Sequence, residues 1–209
     1  MAAFELYNQV ELTEEAVRCL TLAGRQSEAI KKADELLKSM EAQGHTKSLK
    51  YASMLCMMGD VRRETEWYKK AWEVSDQKCA RAMRSLARCH FFKNELELAV
   101  ECYEKAFKIN RLYPKELFTC GCAYMKLQRF EKAIFTFGVS ISIDERDAEA
   151  WGNIANCYMA LNKLPEALQC TENALKINRR NWRLWHNLIK FALAKGELYR
   201  AMYAVNMLI

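Results

Sequence analysis

Tyr103-Glu-Lys-Ala-Phe-Lys-Ile-Asn110 recurs in altered form as Tyr68-Lys-Lys-Ala-Trp-Glu-Val-Ser75 and as Thr171-Glu-Asn-Ala-Leu-Lys-Ile-Asn178. Working outward, Ala99, Ala133, Ala167 and Ala201 stand 34 residues apart, as do Tyr124 and Tyr158, Trp151 and Trp185, and Ala106, Ser140 and Ala174. Four consecutive units therefore begin at Ala80, Pro114, Ala148 and Trp182, with no insertion between them. A fixed period of this length marks a stacked-repeat protein. Inside each unit apolar residues run twice at helical spacing, with a polar break between. In the unit from Ala148, Asp147 can cap a helix over Ala148 to Ala160, Asn162 breaks it, and Pro165 falls in the first turn of a second helix. Proline is tolerated there because its missing N–H has no helical partner to lose. Small residues recur where two helices must approach (Gly121, Ala155, Ala133, Ala167 and Ala174), and Trp151, Tyr158, Trp185 and Phe137 fill the gaps. Each unit reads as a helix–turn–helix hairpin that buries its apolar face by stacking on a neighbour.

Composition agrees. Of 209 residues, 51% are hydrophobic and 28% charged, with only seven Gly and two Pro. So few chain breakers leave little room for the turns of a β-sandwich or barrel, and the apolar fraction excludes disorder. No run approaches the roughly 18 apolar residues of a membrane span. Residues 1–20 lack a basic n-region followed by an apolar h-region, so no secretory signal is expected. The net charge of +6 is modest and does not by itself name a nucleic-acid partner. Nine cysteines, an odd number with no CxxC pair, fit neither a disulfide framework nor a zinc site. Cys120-Gly-Cys122 comes nearest to a pair. The thiols are expected to be reduced and to pack as small apolar side chains. That implies a reducing compartment, cytoplasmic and/or nuclear. No cofactor or metal is expected.

The unit pattern resembles the tetratricopeptide repeat: a large residue at position 4, small residues at 8, 20 and 27, Tyr at 11 and an aromatic at 24. The unit from Ala148 supplies Trp151, Ile154, Ala155, Tyr158, Ala167 and Ala174 and departs at Thr171, while the unit from Pro114 supplies Cys120, Gly121, Tyr124, Ala133 and Phe137. The usual Pro at position 32 is replaced by Arg111, Glu145 and Arg179. The resemblance implies an all-α fold, a right-handed α-solenoid (superhelix) of tandem tetratricopeptide helix–turn–helix hairpins. Six units are read, over about 10–43, 46–78, 80–113, 114–147, 148–181 and 182–209. The unit from Thr46 is a residue short, with the loss in its second helix, and the hairpin before it turns at Gly24. Ala42 to His45 is the expected loose connection. Phe4 to Leu12 read as the tail of a preceding helix, and the last helix runs to Ile209 without a polar cap. The chain is therefore expected to be a fragment of a longer protein.

More specific wording lies in Leu55-Cys-Met-Met-Gly-Asp60, Trp72-Glu-Val-Ser75, Ala80-Arg-Ala-Met-Arg-Ser-Leu86, Phe118-Thr-Cys-Gly-Cys122, Glu149-Ala-Trp-Gly-Asn153 and Asn181-Trp-Arg-Leu-Trp-His-Asn187. In order and spacing these resemble the C-terminal repeat region of the tetratricopeptide repeat protein 27 family. That resemblance implies an intracellular helical scaffold without catalysis. Its members are associated with chaperone-assisted assembly of spliceosomal ribonucleoprotein, and yeast relatives with cell-wall maintenance.

In such repeats the first helix of each hairpin lines the concave side. The expected partner-binding residues there are Lys50, Arg81, Arg84, Arg88, Lys115, Asn153, Asn156, Arg183, Asn187 and Lys190, beside Lys47 and Met54. Glu97, Glu101, Glu104, Glu131 and Glu172 fall on second helices. A basic concave stripe suits an acidic, extended or helical protein segment held by charge-assisted contacts. The alternatives are an RNA-binding helical repeat on the same face, or the regulatory repeat region of an enzyme. Relatives of this fold that clamp the carboxylates of heat-shock chaperone tails use Lys, Asn, Asn, Lys and Arg in three consecutive units. The matching places hold Lys50, Met54, Ser85, Lys115 and Thr119; Arg84, Arg88, Thr119, Glu149 and Asn153; or Phe118, Cys122, Asn153, Arg183 and Asn187. None completes the set, so direct clamping is not expected. No phosphate loop, His-Glu-x-x-His or Gly-x-Ser-x-Gly is present, and no catalytic residue is expected. His90 is expected to be packed and hydrogen-bonded, His186 to face the groove, and Trp182 and Trp185 to be core.

Overall fold

The computed structural model describes residues 14–208, and every regular element among them is an α-helix. Two compact units divide the chain, one ending at Asn110 and the other beginning at Arg111. The first contains α1 (residues 14–22), α2 (Gln26–Ala42), α3 (Leu49–Arg62), α4 (Glu66–Val74), α5 (Ala80–Phe92) and α6 (Leu96–Ile109). The second contains α7 (Pro114–Lys126), α8 (Phe130–Ile143), α9 (Ala148–Ala160), α10 (Leu164–Ile177), α11 (Trp182–Lys195) and α12 (Leu198–Asn206). The expected helix tail over Phe4 to Leu12 and the start of the first repeat lie outside the described residues.

The expected punctuation is visible as geometry. Asp147 caps α9, its carboxylate accepting the Ala150 N–H at 2.9 Å. Pro114 and Pro165 occupy the first turns of α7 and α10. Each first helix then ends through a residue in the left-handed region: Gly24 after α1, Arg63 after α3, Asn94 after α5, Gln128 after α7, Asn162 after α9 and Gly196 after α11. That conformation lets the last carbonyls of a helix be satisfied while the chain reverses.

Packing follows the repeat. In the second unit α8 lies against α7 and α9, α10 against α9 and α11, and α12 against α11. The first helices also touch one another, α7 with α9 and α9 with α11. The first unit is built alike, from α2 with α3, α3 with α4, α4 with α5 and α5 with α6, and α3 also meets α5. Ala99, Ala133, Ala155, Ala167 and Ala174 are fully buried at these crossings. Gly121 faces Phe137 so closely that an added Cβ would sit 2.7 Å from its ring. Phe137 is itself shut between Gly121 and the edge of Phe118, whose ring centroid is 5.5 Å away. Thr171, the departure from the aromatic position, is fully buried and donates its hydroxyl to the Ala167 carbonyl at 2.8 Å.

The α3–α4 hairpin is cut down. Gly59 meets Tyr68 as Gly121 meets Phe137, its Cβ position also 2.7 Å from the ring. The glycine and ring are nine residues apart here and sixteen apart in α7–α8. The missing residues come from the loop end of the hairpin, so α4 is nine residues long whereas α6, α8 and α10 are fourteen.

Candidate functional site

In the first unit the predicted cations are largely engaged by the protein itself. Arg81, on the first turn of α5, donates through Nη2 to Asp60 and through Nη1 to Ser53, both at 3.0 Å. Both acceptors lie on α3, so this fork fastens the first helices of consecutive hairpins together. Tyr68 of α4 donates its hydroxyl to the other Asp60 oxygen at 2.7 Å. Burial first, and then this hydrogen bond, push the Tyr68 hydroxyl above its ordinary range. Lys50 lies in the first turn of α3 with a buried Nζ, and Arg84 on α5 has a buried Nε. Arg88 is exposed and lines an open pocket of about 910 Å³ with Arg63, Tyr68, Cys89, Phe92 and Lys93. This pocket lies between the loop end of the α3–α4 hairpin and the end of α5, where Phe92 is 79% exposed.

The second unit differs. Lys115 on α7, Asn156 on α9, and Arg183 and Lys190 on α11 are exposed, and the three cations form no ion pair among the described residues. Asn153 and Asn187 are half-buried beside them. Asn153 reaches back to α7, with its amide nitrogen 4.0 Å from the Cys122 sulfur. Helical spacing aligns Asn153 with Asn156, and Arg183 with Asn187 and Lys190, along the faces of α9 and α11. His186 is exposed between Trp182 and Asn187.

Two expectations about aromatic and histidine residues resolve differently. His90 is half-buried with Nδ1 2.5 Å from the Glu95 carboxylate, which holds that carboxyl below its ordinary range. Trp185 is core, its Nε1 donating to the Arg179 carbonyl at 2.7 Å. Trp182 is not: it is 61% exposed, with the Arg183 guanidinium 5.7 Å from its ring centre. It occupies the first position of its helix, where Ala148 and Ala80 stand in earlier units, and a large ring there projects past the crossing.

Sequence reading missed the Asp60 cluster, because its members come from three helices. The spacing from Gly59 to Tyr68 was the available signal. The expected lack of a polar cap on the last helix shows as an apolar strip on α12. Met202 is 64% exposed, whereas Leu168, one repeat earlier on α10, is covered by α11 and 2% exposed.

Family models of the tetratricopeptide repeat match residues 148–181, 80–111 and 117–147. A Dictyostelium discoideum protein named tetratricopeptide repeat protein 27 homolog is 32% identical over 98% of this chain and 23% of its own length. Over nearly its whole length the chain is similar to the tetratricopeptide repeat protein 27 family. A Saccharomyces cerevisiae relative, essential for maintenance of the cell wall protein 1, is 26% identical over all of this chain and 23% of its own length. The chain thus spans about a quarter of the length of these family members. Among solved structures, YrrB, described as a TPR protein with an unusual peptide-binding site, superposes with a TM-score of 0.70 at 19% identity, over 82% of this chain and 89% of that one. The first TPR domain of Spaghetti (RPAP3), solved with an HSP90 peptide, gives 0.53 at 22% identity, over 57% and 94%. These likenesses show an all-α tetratricopeptide solenoid, the fold expected for this family.

Proposed function

We propose that this chain is a non-catalytic interaction scaffold that captures an acidic, extended or helical protein segment on the face of its first helices. The observation that carries this reading is the pattern on α9 and α11. Exposed Arg183 and Lys190 carry charge that no ion pair among the described residues engages, and Asn153, Asn156 and Asn187 offer amides that can both donate to and accept from a partner's backbone. Arg88 and Lys115 add charge within their own units. Arg81 ties α5 to α3, and Lys50 and Arg84 are half-buried on those helices. Concave solenoid surfaces are the usual place for such capture. We assign the scaffold to a reducing compartment, cytoplasmic and/or nuclear, in keeping with its nine free thiols. Its assembly role, in ribonucleoprotein maturation or in the cell-wall maintenance for which the yeast relative is named, follows from the family likeness alone.

The test is a pull-down from lysate with the wild-type chain beside an Arg183→Glu/Lys190→Glu variant, each with and without nuclease. Protein partners are expected to fall about ten-fold or more with the variant and to survive nuclease, since reversing two contact charges removes attraction and adds repulsion. Partners lost to nuclease would transfer the face to RNA, where binding should also fall steeply with salt. An unchanged set of partners with the variant overturns the reading.

A further inference from the structure

We infer that Cys56 and Cys79 form a redox-sensitive dithiol, which hydroperoxides convert reversibly to a disulfide joining α3 to the start of α5. Their sulfurs lie 3.9 Å apart, near enough to share a hydrogen bond. Cys56 is fully buried and Cys79 keeps 6% exposure, so the outer sulfur is the one a small oxidant meets first. Cys79 is also the N-cap residue of α5, where the helix dipole and free N–H groups favour an anion.

Its surroundings act in the same sense. The hydrogen bond from Cys56 holds the Cys79 thiol below its ordinary range against the cost of burial, helped by the Ala82 and Arg81 backbone N–H groups and the Arg81 charge. Cys56 moves the opposite way and stays protonated, as the donor of that bond. Buried Cys102, Cys157 and Cys170 are each pushed up by burial, which makes them poor nucleophiles.

The reaction balances in two steps. The Cys79 thiolate attacks one oxygen of hydrogen peroxide, the O–O bond breaks, and the departing hydroxide takes a proton to become water. Cys56 sulfur then attacks the sulfenic sulfur of Cys79. The S–S bond forms, the S–O bond breaks, and the hydroxyl leaves as a second water with the Cys56 proton. Each sulfur loses one electron and the peroxide gains two. Closing 3.9 Å to the roughly 2.05 Å of a disulfide needs side-chain rotation and a small approach of the two helices. The bond would then clamp α3 to α5 beside the Arg81–Asp60 fork.

The test uses the whole chain under native conditions. Graded hydrogen peroxide is followed by alkylation, intact mass, peptide mapping and circular dichroism. Expected is a loss of two hydrogens, mapped to a Cys56–Cys79 link, at a peroxide dose about ten-fold below that oxidising Cys102, Cys157 and Cys170. Helicity should be unchanged, and dithiothreitol should reverse the link. Cys56→Ser should leave Cys79 as a sulfenic acid trapped by a 1,3-dione. Cys79→Ser should leave Cys56 reduced. The wild-type map decides the matter even if a serine variant fails to fold. The inference is overturned if Cys56 and Cys79 remain alkylatable at doses that oxidise exposed Cys19, or if Cys79 proceeds to sulfinic acid without linking.

Discussion

Arg81 and Arg183 hold the same place in their repeats, the second residue of a first helix, and yet have opposite employments. Arg81 is half-buried and bridges α5 to Ser53 and Asp60 of α3. Arg183 is exposed and rests near the Trp182 ring. The cause is the neighbour, not the arginine. Ser53 and Asp60 are seven residues apart, two helical turns along one face of α3, so both present oxygen to the same guanidinium. A repeat position therefore fixes where a side chain points, and the preceding hairpin decides whether its charge becomes cement or bait.

The largest expected effect comes from the contact that both units share. Gly59→Ala and Gly121→Ala should each destabilise by about 1–3 kcal/mol, because the new methyl overlaps a ring with nowhere to retreat. They should differ in coupling. Shifting Tyr68 strains its bond to Asp60, so Gly59→Ala combined with Tyr68→Phe should cost less than the sum of the two single changes. Phe137 has no such bond to lose. Urea titrations of the four variants would show this, and additive values in the first unit would break the comparison.

Next, Asp60→Ala should cost about 2 kcal/mol, by freeing Tyr68 and leaving a half-buried guanidinium poorly paired. Arg183→Ala should lie within about 0.5 kcal/mol of wild type, as surface changes usually do. Equal destabilisation by the two would mean that Arg183 is structural after all.

The smallest effect concerns pH. Lys195 and then Arg200 hold the half-buried Glu197 carboxyl below its ordinary 4.5. A depressed acid stabilises the fold above its unfolded value and loses that contribution as pH falls through the folded value. Wild type and Glu197→Gln should therefore differ in Tm near neutrality and converge below pH 4.5. A difference that grew on acidification would reverse the sign of this linkage.

Much of the fold could be read before any coordinates. The 34-residue register, the Asp147 cap, the two prolines and the small residues at crossings all express local or strictly periodic requirements, and those survive in a linear text. The α3–α4 hairpin was partly legible: its spacing places the loss in the second helix but counts a single residue. The loss falls on α4, which has nine residues where α6, α8 and α10 have fourteen while α3 keeps fourteen, and counting in steps of 34 registers only the net change. The binding face was half legible. Periodicity places Lys50, Arg81, Arg84 and Arg88 on first helices, but whether a cation is free depends on oxygens that α3 brings from 21 and 28 residues upstream of Arg81. Trp182 misled for a simpler reason: an aromatic at the start of a helix looks like core until the depth of the crossing is known.

Among the described residues of each unit, the main helix contacts are with helices one or two places along the chain. Such a molecule keeps its contact order low, and chains dominated by local contacts fold in microseconds to milliseconds. Nucleation can begin in any hairpin and spread to its neighbours. Injury has the same short reach: a lesion in α3 is felt by α2, α4 and α5, and its influence dies away within a few tens of residues.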